Sequence, residues 1–265
     1  SGSIERPIVF GNNDTPGIML SSAAKEYMKV YGVLVGKKPL IFTNNDSAYE
    51  TAIEFKKNGI NPIVLDSRKE LNSDLITEAK NLGIDIKFEH VVVNANGYRK
   101  VKSADIAKIS EDKTNLGKIE NIACDCICVS GFWTPTIHLA SQSGGKTKFN
   151  EDIDAFIPSQ SKQNETTVGS ANGIFNLNDT LKNSFEAGYE LSKKITSKEN
   201  KLSVPAVVEK KNSKHDKFWC VPLPKGKKYK RFLDFQNDVA VSDIELALRE
   251  GYRSIEHVKR YTTLG

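Results

Sequence analysis

Apolar positions fall into short unbroken runs separated by stripes at helical spacing. Residues 39–42 (PLIF) and 63–65 (IVL) are continuous apolar runs, the mark of strands buried on both faces. Between them Tyr49, Ala52, Ile53 and Phe55 recur at helical spacing, and Asn58-Gly59 offers a left-handed C-cap. Residues 38–68 therefore read as strand, tight turn, helix, strand, ending at an acid, Asp66. That is the layout of a dinucleotide-binding βαβ unit. The pattern extends both ways. A short strand over residues 6–10 and a helix over about 19–31, stopped by Gly32, precede the unit. Ser73 caps a helix that runs to Leu82 and stops at Gly83, and residues 84–88 alternate as a strand. Residues 91–93 and 98–101 predict a hairpin around Asn94-Ala95-Asn96-Gly97. The stretch 103–120 is polar and has no readable period.

Downstream, residues 122–131 (IACDCICVSG) form another buried run, followed by a helix over about 136–143. Residues 168–177 read as a strand that ends in Gly-Ser-Ala-Asn-Gly and opens a helix reaching about residue 195. Residues 198–217 are a polar, Lys-rich linker. A strand over 230–235 and one or two amphipathic helices over 242–260 close the chain. Strands alternating with helices predict an α/β fold with a Rossmann-type parallel sheet, an antiparallel addition and a small helical C-terminal segment.

Composition narrows the setting. The 265 residues are 38% hydrophobic and 27% charged, with net charge +5, and leave room for one large domain or two smaller ones. No apolar run reaches the roughly 18 residues of a membrane span, and the opening SGSIERPIVF does not read as a signal peptide. Four cysteines do not make a disulfide framework, so a reducing, cytoplasmic setting is expected. No membrane or nucleic-acid partner is expected. The one strongly basic stretch, residues 225–231 (KGKKYKR), suits a solvated linker or a site for an anion or acidic partner.

Candidate chemistry centres on two turns. A dinucleotide fingerprint wants three glycines between strand and helix; the matching positions here are Thr43, Asn45 and Ala48. Asn45 puts a side chain where phosphate should sit, and Asp46 at the helix start would repel it. The unit therefore predicts the fold better than it predicts pyrophosphate binding. Asp66 is placed either as a ribose ligand or as an ordinary surface acid at a strand end. The second turn is Val168-Gly169-Ser170-Ala171-Asn172-Gly173. It would offer free backbone N–H groups to an anion or a hydroxyl chain, or be an ordinary small-residue turn. Cys124, Cys126 and Cys128 alternate and should share one face of a strand as small buried hydrophobes. The four histidines are scattered; no metal site and no catalytic residue is expected.

Several segments resemble the alpha subunit of heterotetrameric sarcosine oxidase: RPIVFGNNDTPGIMLSSAAKEYM, PLIFTNNDSAYETA with LDSR, VSGFWTPTIHLASQSGGK, VGSANG, and the final DFQNDVAVSDIELALREGYRSIEHVKRYTTLG. The resemblance implies a complex of alpha, beta, gamma and delta subunits that oxidises sarcosine to glycine. Oxygen becomes hydrogen peroxide, and the one-carbon unit can pass to tetrahydrofolate. It implies chemistry on FAD in the beta subunit and on FMN at the alpha/beta contact. NAD is implied in an alpha core built like a flavin/NAD disulfide reductase. In that plan residues 1–32 are part of an outer nucleotide domain, residues 33–121 an inserted NAD-domain-like βαβ domain, and residues 122–197 the outer domain resumed. Residues 198–265 are the linker and C-terminal helical segment. NAD contacts are then implied at Gly169, Ser170, Ala171, Asn172, Leu177 and Asp179, with Asp66 a minor candidate. The chain matches the middle of such a subunit, so its NAD site is expected to be incomplete and its own catalysis absent. A stand-alone NAD(P)H- or FAD-dependent reductase is the alternative. An assembly role for the tail would use Lys228, Arg231, Arg249 or Arg253.

Overall fold

The computed structural model describes residues 2–196, 203–205, 207–208 and 211–265. The chain forms two compact units, Ser1–Arg6 with Trp133–Lys211 and Pro7–Phe132 with Asn212–Gly265. In chain order, β1 (Ser3–Glu5) belongs to the smaller unit. The larger unit begins with β2 (Ile18–Leu20), α1 (Ser21–Lys29), β3 (Pro39–Thr43), α2 (Ser47–Lys57), β4 (Ile63–Asp66), α3 (Asp74–Asn81) and β5 (Asp85–Phe88). It continues with β6 (His90–Asn96), β7 (Ser103–Ile109), β8 (Leu116–Ala123) and β9 (Cys126–Ser130). The smaller unit adds β10 (Trp133–Pro135), α4 (His138–Gln142), β11 (Lys146–Asn150), β12 (Ala155–Gln160) and α5 (Leu177–Thr196). The tail returns to the larger unit with β13 (Phe232–Asp234), β14 (Val239–Ala240), α6 (Val241–Arg249) and α7 (Ile255–Thr262).

The larger unit is a parallel sheet in the order β2-β9-β3-β4-β5, covered on both faces. Strand alternation sorts its side chains. Ile41, Val64, Cys126 and Cys128 pack with Ala24, Tyr49, Ala52, Phe55 and Ile76 of the helices. Leu40, Phe42, Leu65, Ile127 and Val129 pack instead against Val91, Val93, Ala104 and Ile106 of the antiparallel sheet β6-β7-β8. The result is helices, parallel sheet and antiparallel sheet in three layers. Local signals set the helix ends as expected. Ser73 Oγ accepts from the Ile76 amide at 3.3 Å, and Gly59 takes φ +77° just past α2.

Three expectations need correction. The hairpin does not turn at residues 94–97: β6 runs on to Asn96 and pairs with β7, and Tyr98 sits in the loop, 93% exposed. Asn94 is tolerated inside a strand because Asn12 Nδ2 donates to its Oδ1 at 2.8 Å and its own Nδ2 donates to Asn96 Oδ1 at 2.9 Å. The unreadable stretch is β7 and β8. β8 is an exposed outer strand and so carries little apolar signal. Cys124 lies before β9 and packs on the antiparallel-sheet side, whereas Cys126 and Cys128 face the helices. Residues 6–10 form no strand; the chain there makes a single bridge, Val9 with Cys220. β2 pairs with β9, which lies beside β3.

In the smaller unit β1 pairs with β10 and β11 with β12, all antiparallel. Arg6 is held by the carbonyls of Ile153 and Asp154 at 3.0 and 2.9 Å. α5 has twenty residues and none is buried. Among the described residues no helix is long and apolar enough to cross a membrane.

Candidate nucleotide sites

The first candidate turn joins β3 to α2. Thr43 Oγ1 donates to the Asn45 carbonyl at 3.0 Å and accepts the Asn45 amide at 3.1 Å, which folds the chain sharply. Asn45 then acts as the helix cap: its Oδ1 accepts the Ser47 amide at 3.0 Å and the Ser47 hydroxyl at 2.6 Å. Its Nδ2 donates to the carbonyl and hydroxyl oxygens of Ser130, at 3.2 and 3.0 Å. The side chain that replaces the second glycine thus fills the turn and ties it to β9.

Asp46 does not cap α2. Its carboxylate meets Arg68 Nη2 at 2.9 Å and accepts the hydroxyl and the amide of Ser213 at 2.6 and 2.7 Å. Asp66 is neither exposed nor free. It is fully buried, accepts Arg68 Nε at 2.9 Å and Nη2 at 2.7 Å, and takes the Tyr49 hydroxyl at 2.8 Å. A ribose would have to displace all three donors, so Asp66 is corrected from ribose ligand or surface acid to the anchor of a buried ion cluster. The cluster holds two carboxylates and one guanidinium. Burial and the adjacent Asp66 charge push the Tyr49 hydroxyl well above its ordinary range. Burial alone would lower Arg68, but its hydrogen bonds and charge contacts with Asp66 and Asp46 outweigh that and raise it. Both shifts keep Tyr49 neutral and Arg68 charged near neutral pH.

Residues 212–218 complete this edge. Asn44 Nδ2 donates to the carbonyls of Asp216 and Phe218 at 2.8 and 3.2 Å, and the Asp216 amide returns to the Asn44 carbonyl at 2.9 Å. Arg68 Nη1 donates to Ser213 Oγ and the Lys214 carbonyl at 3.2 and 3.0 Å. These contacts escaped the sequence because the segment reads as part of a polar linker. Of that stretch, residues 198–202, 206, 209 and 210 lie outside the described residues. A shallow pocket of about 270 Å³ adjoins, lined by Arg68, Lys69, Glu89, Lys113, Lys214 and Asp216 among others. Two of its lysines are paired, Lys113 3.0 Å from Asp216 and Lys69 2.6 Å from Glu111.

The second candidate turn lies in the smaller unit. The expected strand before it is absent; Gly169–Asn172 is a single 3-10 turn, closed by Gly173 in the left-handed region. Gly169 also needs its glycine, at φ +63° with Thr180 Cγ2 3.0 Å from where a Cβ would stand. Gly169 and Ala171 are buried, Ser170 and Asn172 half-buried, and Leu177 and Asp179 exposed on the first turn of α5. Some of the expected free N–H groups are already engaged. The Gly169 amide donates to Asn183 Oδ1 at 3.3 Å, and the Gly173 and Ile174 amides go to the carbonyls of Ser170 and Gly169. The Asn178 and Asp179 amides donate to Asn176 Oδ1 at 2.8 and 3.2 Å. The start of α5 is thus already capped. Asn172 lines an open pocket of about 380 Å³ with Lys148, Gln160 and Glu165. Four of the seven candidate residues thus lie in this turn and two at the start of α5, while Asp66 belongs to the larger unit.

Elsewhere, burial pushes the Cys124 thiol up to about 12. Among the described residues no group of three His, Cys, Asp or Glu side chains could hold a metal.

The comparisons with known proteins agree with this architecture. L-proline dehydrogenase from P. horikoshii superposes with a TM-score of 0.56 at 19% identity, over 100% of this chain and 48% of that one. The HOCl-induced flavoprotein disulfide reductase of Escherichia coli gives 0.52 at 15% identity, over 74% and 43%. These show the fold, that of the flavin/NAD disulfide reductases. Sequence goes further. The sarcosine oxidase alpha subunit of Corynebacterium sp. (strain P-1) is 32% identical over 275 residues, covering 100% of this chain. That of Rhizobium meliloti (strain 1021) is 34% identical over 271 residues, again covering 100%. The chain is a homologue of the sarcosine oxidase alpha subunit. The family described as the sarcosine oxidase A3 domain matches residues 228–265, so β13, β14, α6 and α7 of this alpha-subunit homologue are the matched part. The chain spans 28% and 26% of the length of these two relatives.

Proposed function

We propose that this chain serves as a nucleotide-binding section of a sarcosine-oxidising complex. The observation that carries the reading is similarity along the whole chain, at 32–34% identity, to sarcosine oxidase alpha subunits. In that complex sarcosine is oxidised to glycine and oxygen reduced to hydrogen peroxide, with tetrahydrofolate able to take the one-carbon unit. FAD and FMN supply the redox chemistry, held with the beta subunit of an assembly that also has gamma and delta subunits. The cluster of Asp46, Asp66 and Arg68 supports a non-catalytic role for this section, since every group in it is committed to another. The free cysteines suit a reducing compartment such as the cytoplasm.

NAD is assigned to the smaller unit, with Ser170, Asn172 and Asp179 taking ribose hydroxyls and Gly169, Ala171 and Leu177 shaping the turn around them. The nested plan of outer domain and insert is kept as part of the same reading. Amide exchange of this chain with and without NAD tests the placement. Slower exchange over residues 169–180, weakened at least tenfold in affinity by Asp179→Ala, is expected. Protection elsewhere with none at that turn would refute it.

The tail supports an assembly role. A pocket of about 520 Å³ is lined by Lys228, Lys230, Arg231, Arg249 and Tyr229, with Glu245 the one acid. Arg231 is already engaged, to Glu245 at 3.2 Å and to the Val221 carbonyl at 3.0 Å. Lys228, Lys230 and Arg249 are then the cations offered to an acidic or phosphate-bearing partner surface. Reversing Lys228 and Arg249 to Glu should weaken association with the beta subunit; unchanged association would remove the tail from that role.

A further inference from the structure

Open α/β sheets take their ligands at the carboxyl edge, beside the turn from strand to helix. In the larger unit residues 212–218 lie in that place, and they are held as a bound ligand is. Ser213 gives both its amide and its hydroxyl to the Asp46 carboxylate, at 2.7 and 2.6 Å. The Asp216 amide and the carbonyls of Asp216 and Phe218 exchange hydrogen bonds with Asn44, main chain to main chain and side chain to main chain. Arg68 reaches the Lys214 carbonyl at 3.0 Å. The His215 ring stacks on Phe132 with centroids 3.8 Å apart and planes 7° from parallel. Phe132 holds φ +74° to do so, a conformation disfavoured for a bulky residue. The receptor side is buried: Asn44 is 0% and Asp46 7% exposed.

The chemistry of this edge selects a peptide and not a phosphate. Asn44 offers an N–H to carbonyls and a carbonyl to an N–H, the complement of an extended backbone. Asp46 sets a negative charge beside the start of α2, where a pyrophosphate needs a positive field.

We propose that this crevice is a peptide-binding site filled in cis. Residues 212–218 are its resident ligand, and by occupying it they keep dinucleotides out of the larger unit. The proposal is independent of the NAD placement in the smaller unit.

Amide hydrogen exchange on the whole chain tests it. In the wild type the Ser213 and Asp216 amides should exchange about 100-fold or more slower than in an unstructured chain. Asp46→Asn keeps the shape of the receptor and removes its charge; Ser213→Ala changes only the resident peptide and leaves the core intact. Each should speed exchange at Ser213 and Asp216 about tenfold while the amides of β4 stay slow. NAD added to the wild type should leave exchange over residues 43–47 unchanged. Unprotected Ser213 and Asp216 amides in the wild type, equal protection in both variants, or slowing of residues 43–47 by NAD would each overturn the proposal. Slowing over residues 169–180, or its absence, bears on the smaller unit alone.

Discussion

The two strand- or loop-to-helix turns of this chain solve the same problem in opposite ways. The turn into α2 is buried, carries Thr43 and Asn45 where glycines would stand with Asp46 beside them, and is locked by Arg68 and by a peptide from elsewhere in the sequence. The turn into α5 keeps its glycines, at φ +63° and +77°, and stays partly open to solvent. There Asn183 takes the Gly169 amide and Asn176 caps the start of α5, both close by in sequence. One turn spends its polar groups on tertiary structure; the other spends them locally. The difference teaches that the layout of a βαβ unit predicts where a sheet goes, and that the side chains at its edge decide whether the edge is a ligand site.

The contrast can be broken most forcefully at Arg68. Arg68→Ala leaves Asp46 and Asp66 buried without their cation, and removing one partner of a buried ionic cluster costs about 3–5 kcal/mol. Urea unfolding of the larger unit should show that loss; a change below about 1 kcal/mol would mean the acids are held by other means. Tyr49→Phe is next. It takes one hydrogen bond from a buried carboxylate, worth about 2 kcal/mol, and a shift of the same unfolding transition measures it. An unaltered transition would show that Arg68 alone satisfies Asp66.

The open turn should respond more weakly. Asn176→Ala removes the acceptor for the Asn178 and Asp179 amides and should cost about 1 kcal/mol, read as faster exchange in the first turn of α5. Equal exchange in the variant would deny Asn176 its capping role. The smallest effect belongs to Asp112, an exposed acid in the β7–β8 loop. Hydrogen bonds from the Ser110 side chain, then from Thr114, hold its carboxyl down at about 2. Its folded value lies below the unfolded one, so what it contributes is present above the ordinary aspartate range and lost as pH falls through about 2. A carboxyl titration midpoint at the ordinary value, followed by NMR, would show the loop hydrogen bonds to be unformed in solution.

Much of this was legible before any coordinates. Apolar runs located β3, β4 and β9, Ser73 and Asn58-Gly59 located helix ends, and the segments resembling sarcosine oxidase reach from Arg6 to Gly265. What was hidden has physical causes. β8 is mostly exposed and so lacks the alternation that reveals a half-buried strand. Nothing in the sequence marks Arg68 as buried, because burial of a guanidinium depends on acids that only the fold assembles. Residues 212–218 looked like linker because their contacts are made by backbone groups, which every sequence possesses. At the second turn the sequence does not show that Asn183 takes the Gly169 amide or that Asn176 caps α5, since both depend on how the loop folds back on the helix.

α5 carries one last implication. Its twenty residues make a rod of about 30 Å, and no side chain along it is buried. Such a helix draws little from tertiary packing and sits near the length at which an isolated helix in water is marginal. It should therefore open as its own cooperative segment, far below the free energy of global unfolding. The candidate nucleotide turn then adjoins a segment of low local stability. A ligand seated there would be felt first as a rise in helix persistence, long before it altered the melting of either sheet.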